Sequence, residues 1–165
     1  MKISIINNRE IEVEESKLFG EAYLPEKWLE DDTFSPYEFF LCQLRLEDFN
    51  SDNLPKSGYL YFFIEDYGFS GKKLKARVRY FDSEPDAYTD FNDGYFEEDP
   101  ESVALKVESL GELNFDFELN NQVCLLEIPC ELLPLDLECD KIAFVIEKAD
   151  LANGDFSKTS LIFIN

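Results

Sequence analysis

The chain contains no histidine in its 165 residues. That removes the imidazole base of Ser-His-Asp and Cys-His catalysis and the histidine ligands of most zinc sites. A Gly-rich phosphate loop is missing too, because Gly68-Phe69-Ser70-Gly71-Lys72 lacks P-loop spacing. No apolar run approaches the roughly 18 residues that a membrane-spanning helix needs. The opening Met1–Asn7 is apolar too briefly for a secretory leader and has no small-residue cleavage site, so a cytoplasmic location is expected. Cations are scarce, with 15 Lys and Arg against 36 Asp and Glu, and the formal net charge is −21. Such a field repels phosphate backbones and anionic lipids, so neither nucleic acid nor a membrane is expected as a partner. It favours solubility and fast encounter with a basic protein partner.

The four cysteines, Cys42, Cys124, Cys130 and Cys139, form no C-x-x-C pair, and most sit in apolar runs. That is the pattern of buried free thiols in a reducing compartment, and their spacing cannot build a zinc finger. No cofactor or metal is expected.

What is present is apolar and aromatic. Apolar residues make up 45% of the chain and Phe alone occurs 16 times, so disorder is excluded and one core can form. The length fits a single domain over residues 1–165. Period-two patterning dominates, which predicts a mainly β fold with few short helices. Leu113, Phe115, Phe117 and Leu119 alternate with polar residues, and Ile11 and Val13 alternate with Glu10, Glu12 and Glu14. With Asn7-Asn8 as turn chemistry, Lys2–Val13 reads as a hairpin. Phe39–Leu44, Tyr59–Ile64 and Ile142–Ile146 are apolar on both faces and read as central strands, and Leu161–Ile164 as a closing one. Glu147–Asn153 reads as a short helix with Gly154 as its C-terminal cap, and Glu131–Leu135 as a piece broken by Pro134. Ser83–Pro100 reads as a long acidic loop; it fails the calcium-loop template, since Thr89 and Phe91 fall where oxygen ligands belong.

Two stretches match each other. Phe40-Leu41-Cys42-Gln43-Leu44 resembles Cys124-Leu125-Leu126-Glu127-Ile128, and Gly58–Glu65 aligns without gaps on Asp140–Glu147. Residues 39–65 and 123–147 are therefore expected to be two similar β units sharing one core.

The candidate binding residues are few. Lys72, Lys73, Lys75, Arg77 and Arg79 hold a third of the cations within eight residues. On a strand, Lys73, Lys75, Arg77 and Arg79 share one face. Either they pair with a facing acidic strand, for which Glu10, Glu12 and Glu14 are the evident partner, or Lys75, Arg77 and Arg79 form a site for an anion or acidic peptide. Trp28, beside Pro25, either covers a core edge or anchors a partner. Acidic pairs such as Glu65-Asp66 put their carboxylates on opposite strand faces and are poor candidates for glycoside hydrolysis.

Several ordered motifs resemble a known family. Ser16-Lys17-Leu18-Phe19-Gly20-Glu21-Ala22-Tyr23-Leu24-Pro25 is similar to the "SK-x-GG-x-P-x-LP" opening of the YwqG-like proteins, a bacterial family of unknown function. Phe40–Leu44 resembles its "FLAQI" strand and Leu54–Phe63 its "LP-x-x-G-x-LYFF" segment. The stretch from Val145 to Lys158, ending Asp155-Phe156-Ser157-Lys158, resembles its "DFSK" ending. The chain departs from the pattern at Phe19, where the family has the first glycine of a pair, and at Glu127, where Gln is usual. The resemblance implies a β-rich, duplicated, pseudo-twofold architecture and carries no catalytic residue. Some YwqG-like genes lie among bacterial toxin and immunity genes, so the resemblance implies toxin neutralisation as a refinement. The expected function is non-catalytic binding of a basic protein. The alternative is an enzyme or small-ligand protein with a cleft between the two β halves.

Overall fold

Runs apolar on both sides can bury both faces of a strand, and this chain builds its centre from them. The computed structural model describes residues 3–6, 10–49, 51–68, 74–107 and 121–165. In chain order the elements are β1 (Ile3–Ile6), β2 (Lys17–Leu18), β3 (Ala22–Leu24), α1 (Glu26–Glu30), β4 (Glu38–Arg45), β5 (Tyr59–Asp66) and β6 (Leu74–Phe81). They continue with β7 (Ala87–Thr89), β8 (Val103–Val107), β9 (Gln122–Pro129), β10 (Lys141–Glu147), α2 (Lys148–Ala152) and β11 (Ser160–Ile164). The fold is mainly β, as expected. Its sheets are antiparallel, in the orders β1-β8-β2-β4-β5-β6, β11-β10-β9 and β3-β7.

The large sheet is the middle layer. One face carries Leu60, Phe62, Ile64 and Val78 and packs on Ile128, Ile142 and Phe144 of the three-stranded sheet; the Phe62 and Phe144 rings lie 5.0 Å apart. The other face carries Phe40, Tyr59, Tyr61 and Phe63, which β3 covers together with Trp28, Phe34 and Phe91. Burying each such ring contributes about 1.5–3 kcal/mol, so a strand covered on both sides is the most stabilised kind.

The two matched strand pairs have matching registers. In β4–β5, Phe40 faces Phe63 and Cys42 faces Phe62, leaving Leu41 as a bulge. In β9–β10, Cys124 faces Val145 and Leu126 faces Phe144, leaving Leu125 as the bulge. Each pair continues into a 3-10 turn, Leu46–Asp48 or Cys130–Leu132, whose first N–H donates to a carbonyl just before the partner strand: Leu46 to Gly58 at 2.8 Å, Cys130 to Asp140 at 2.9 Å. Gly58 has φ +87°, and a Cβ there would lie 2.2 Å from the Phe81 carbonyl oxygen, so only glycine fits.

Four sequence readings are corrected. Ile11–Val13 forms no strand; β1 pairs with β8 instead of folding back as a hairpin, and Val13–Glu14 turns so that Gln43 can bond the carbonyls of Val13 and Glu15. The basic strand β6 therefore faces β5 and not Glu10, Glu12 and Glu14. Part of the acidic stretch 83–100 is structured. Its β7 pairs with β3, and the buried Asn92 closes the β4 bulge, accepting from the Phe40 N–H at 2.8 Å and donating to the Phe40 carbonyl at 2.9 Å. Finally, Cys130 and Cys139 are disulfide-bonded across the Pro134 turn, with Cα atoms 6.3 Å apart, whereas Cys42 and Cys124 are buried thiols as expected. The strand expected at Leu113–Leu119, and Lys72 and Lys73, lie outside the described residues.

Candidate functional site: an arginine-lined groove at the sheet edge

β6 ends the large sheet, and its alternation sends Arg77 and Arg79 to the aromatic face while Ala76 and Val78 enter the core. On the next strands the same face brings Glu65 and Glu38 opposite one another. Both carboxylates are buried, with side chains 2% exposed. A buried carboxylate needs a cation and further hydrogen bonds, and both have them. Arg79 forks onto Glu38, Nη1 to Oε2 at 2.7 Å and Nη2 to Oε1 at 2.9 Å, and also donates to the Thr33 carbonyl at 3.0 Å. The Ser35 N–H donates to Glu38 Oε1 at 3.0 Å. The Arg79 guanidinium lies over the Phe34 ring at 4.6 Å and the Phe63 ring at 5.1 Å. Arg77 Nε donates to Glu65 Oε2 at 2.8 Å, and the Tyr67 hydroxyl donates to Glu65 Oε1.

Burial is the largest single influence on Glu65 and pushes its pKa up. Hydrogen bonds from Tyr67, Ser35 and Arg77 together outweigh it, and the net shift is downward. The bond to Glu65 also pushes the Tyr67 hydroxyl up, with burial acting the same way. Near neutral pH this leaves an ionised Glu and a protonated Tyr, neither poised to exchange a proton.

A cavity of about 450 Å³ opens over these residues, lined by Asp32, Thr33, Phe34, Ser35, Glu38, Glu65, Arg77, Arg79 and, from the 3-10 turn Phe156–Lys158, Ser157. Glu38 and Glu65 are buried in its wall, and the charges nearest solvent are Arg77, with 40% of its side chain exposed, and the exposed Asp32. A second recess of about 290 Å³ adjoins it through Arg77 and Ser157 and runs between β6 and β11. The groove thus lies where the two main sheets meet at their edges.

Of the sequence candidates, Arg77 and Arg79 line the groove. Lys75 stands at its end, with Nζ over the Tyr67 ring at 4.9 Å. Trp28 does not reach it. Its ring packs edge-on against Phe34, Tyr61 and Phe81, so it covers the core edge and touches the site only through Phe34. Glu38, Glu65, Phe34 and Ser157 are additions. The available signal was a Glu directly ending a strand apolar on both faces, where a carboxylate must be buried or partnered.

Elsewhere, Gln43 is fully buried and spends its amide on main chain, donating to the carbonyls of Val13 and Glu15 and accepting from the Tyr23 N–H. Phe19 and Gly20 both have positive φ, 54° and 73°, which accounts physically for a glycine pair at this place in the resembling pattern. Among the described residues no group of three or more Cys, Asp or Glu is arranged to hold a metal. None of the described helices is long and apolar enough to cross a membrane.

A search of curated proteins finds no match to this chain. A family model matches residues 16–134, and by it the chain belongs to the family described as "Domain of unknown function (DUF1963)".

Proposed function

We propose that this protein is a YwqG-like member of its family that works by binding rather than by chemistry, and that the groove along β6 takes a small ligand between the two β units. We also propose that these units are duplicates related by a pseudo-twofold axis, which the shared bulge and turn positions support. The observation that carries the binding reading is the layering of the groove: two buried carboxylates hold two guanidiniums in the wall of a 450 Å³ cavity, Arg77 the more exposed of the two. Orienting Arg77 and Arg79 in advance lowers the entropy lost when a planar, oxygen-bearing group docks on them. No base poised near neutral pH accompanies them among the described residues, and the serine hydroxyl of the cavity lining that bonds an acid, Ser157 to Asp155 at 2.5 Å, lacks a stronger proton acceptor.

The test is a thermal-shift screen of small organic acids on the wild type, Arg77→Gln and Arg77→Lys. Binding compounds raise the wild-type midpoint, and both variants lose the response because each lacks the fork. A response retained in both variants would move the site elsewhere.

A basic protein partner is a second reading, supported by a different surface. Glu21, Asp90, Asp99 and Glu101 line a recess of about 440 Å³ with no cation among its lining residues, a shape and charge suited to a Lys or Arg side chain. Toxin neutralisation would be one use of it. Pull-down from the native host should retain a basic protein at low salt and release it at high salt; no capture at low salt removes this reading.

A further inference from the structure

We propose that the groove's ligand carries a phosphate group, seated in the recess between β6 and β11. This deepens the reading of the groove as a ligand site and rests on it. The protein carries a net charge of −21, yet the lining of this recess contains no carboxylate. Its polar lining is Lys75 and Arg77 from β6 and Ser157, Thr159 and Ser160 from the approach to β11. Lys75 makes no ion pair among the described residues; its ammonium rests over the Tyr67 ring. Arg77 faces Glu65 with one edge of its guanidinium and stays 40% exposed. The Thr159 and Ser157 hydroxyls are spent on the Phe156 carbonyl and on Asp155, so Ser160, which is exposed, is the hydroxyl with a proton to offer. Among the described residues no strand pairs with the outer edge of β6, so its outward N–H groups have no strand partner on the side toward β11.

A point charge, a planar fork, a hydroxyl and edge N–H groups together match the several acceptor oxygens of a phosphate better than the two of a carboxylate. The nearby carboxylates are occupied, Glu65 by Arg77 and Tyr67 and Asp155 by Ser157, and at about 0.15 M salt charges more than about 8 Å away are largely screened. The recess of about 290 Å³ holds the phosphate, and the adjoining Phe34 end, with Arg79 beneath it, receives the rest of a small molecule.

The experiment is an amide-shift titration with inorganic phosphate at constant ionic strength, with chloride and benzoate as separate arms, on wild type, Lys75→Gln and Ser160→Ala. Both changes are at exposed positions and leave the core intact. Phosphate should shift residues 74–77 and 157–161 saturably, and Lys75→Gln should weaken it about tenfold or more, the loss of one charge-assisted contact. Shifts equal to those of chloride, or an unchanged affinity in Lys75→Gln, would overturn the phosphate assignment. Benzoate binding at the Phe34 end with phosphate silent would overturn it while leaving the groove as a ligand site. Silence in both arms would overturn the assignment and the groove reading together.

Discussion

The strand pairs β4–β5 and β9–β10 share a bulge position, a following 3-10 turn and the hydrogen bond that closes it, but they end differently. Where β4–β5 sets Glu38 opposite Glu65, β9–β10 sets Gln122 opposite Glu147, and the Gln122 amide donates to the Glu147 carboxylate at 3.1 Å. One pair thus meets its acid with a neutral neighbour. The other buries two acids and needs Arg77 and Arg79 from a further strand. The outer faces differ as well. Phe40, Tyr61 and Phe63 lie under an extra aromatic layer, whereas the matching face of the second sheet carries the small residues Cys124, Ala143 and Val145. The arginine-lined groove lies at the pair whose facing carboxylates are met by cations from the edge strand β6.

The largest way to break this comparison is Arg79→Met, which strands the buried Glu38. About 3–5 kcal/mol should be lost in chemical denaturation, and adding Glu38→Gln, the second pair's solution, should restore most of it. Gln122→Ala, by contrast, should cost under about 1 kcal/mol, because its partner Glu147 is only half-buried. Next is Gln43→Leu, which orphans two carbonyls and an N–H; about 3 kcal/mol should be lost, against about 0.5 kcal/mol or less for Glu127→Leu at the matching, half-buried position. The turns differ too, since only Cys130–Leu132 is tied by a disulfide, closing a loop of sequence separation 9. Reduction, or Cys139→Ser, should lower stability by about 2–3 kcal/mol by the loop-entropy relation, read as a denaturation midpoint shift.

The smallest effect concerns Lys17, buried on β2 with its pKa pushed down to about 8 from 10.5, mainly by burial, which the charges of Glu21, Glu14 and Glu15 oppose. Between these values the unfolded chain binds more protons than the folded one, so stability rises with pH. A gain of about 2 kcal/mol is expected from pH 7 to pH 10. Above pH 10 the tyrosines Tyr59 and Tyr61, whose hydroxyls burial pushes up, reverse the trend. Lys17→Met should flatten the rise, as followed by denaturation at each pH.

The sequence made the scaffold legible and left the site half-hidden. Strands apolar on both faces, such as Tyr59–Ile64, announce themselves, and the matched pairs could be aligned, but the bulge that each carries could not be seen. The cationic face of β6 was equally plain, and so was its need for charge partners. Their identity was not, because Glu38 is 41 residues from Arg79, and only the strand order β4-β5-β6 makes them neighbours. The disulfide escaped because no C-x-x-C spacing marks Cys130 and Cys139, and only the turn around Pro134 brings them together. Asn92 escaped because a buried amide serving a bulge looks, in sequence, like one more polar residue of an acidic loop.

The most direct measurement is amide-shift mapping of any compound that stabilises the protein in the thermal screen. Perturbations gathered on residues 33–38, 65, 75–79 and 157–161 are predicted. Perturbations centred on Glu21 and residues 90–102, or on the outer face of the second sheet at 143–145, would contradict the account.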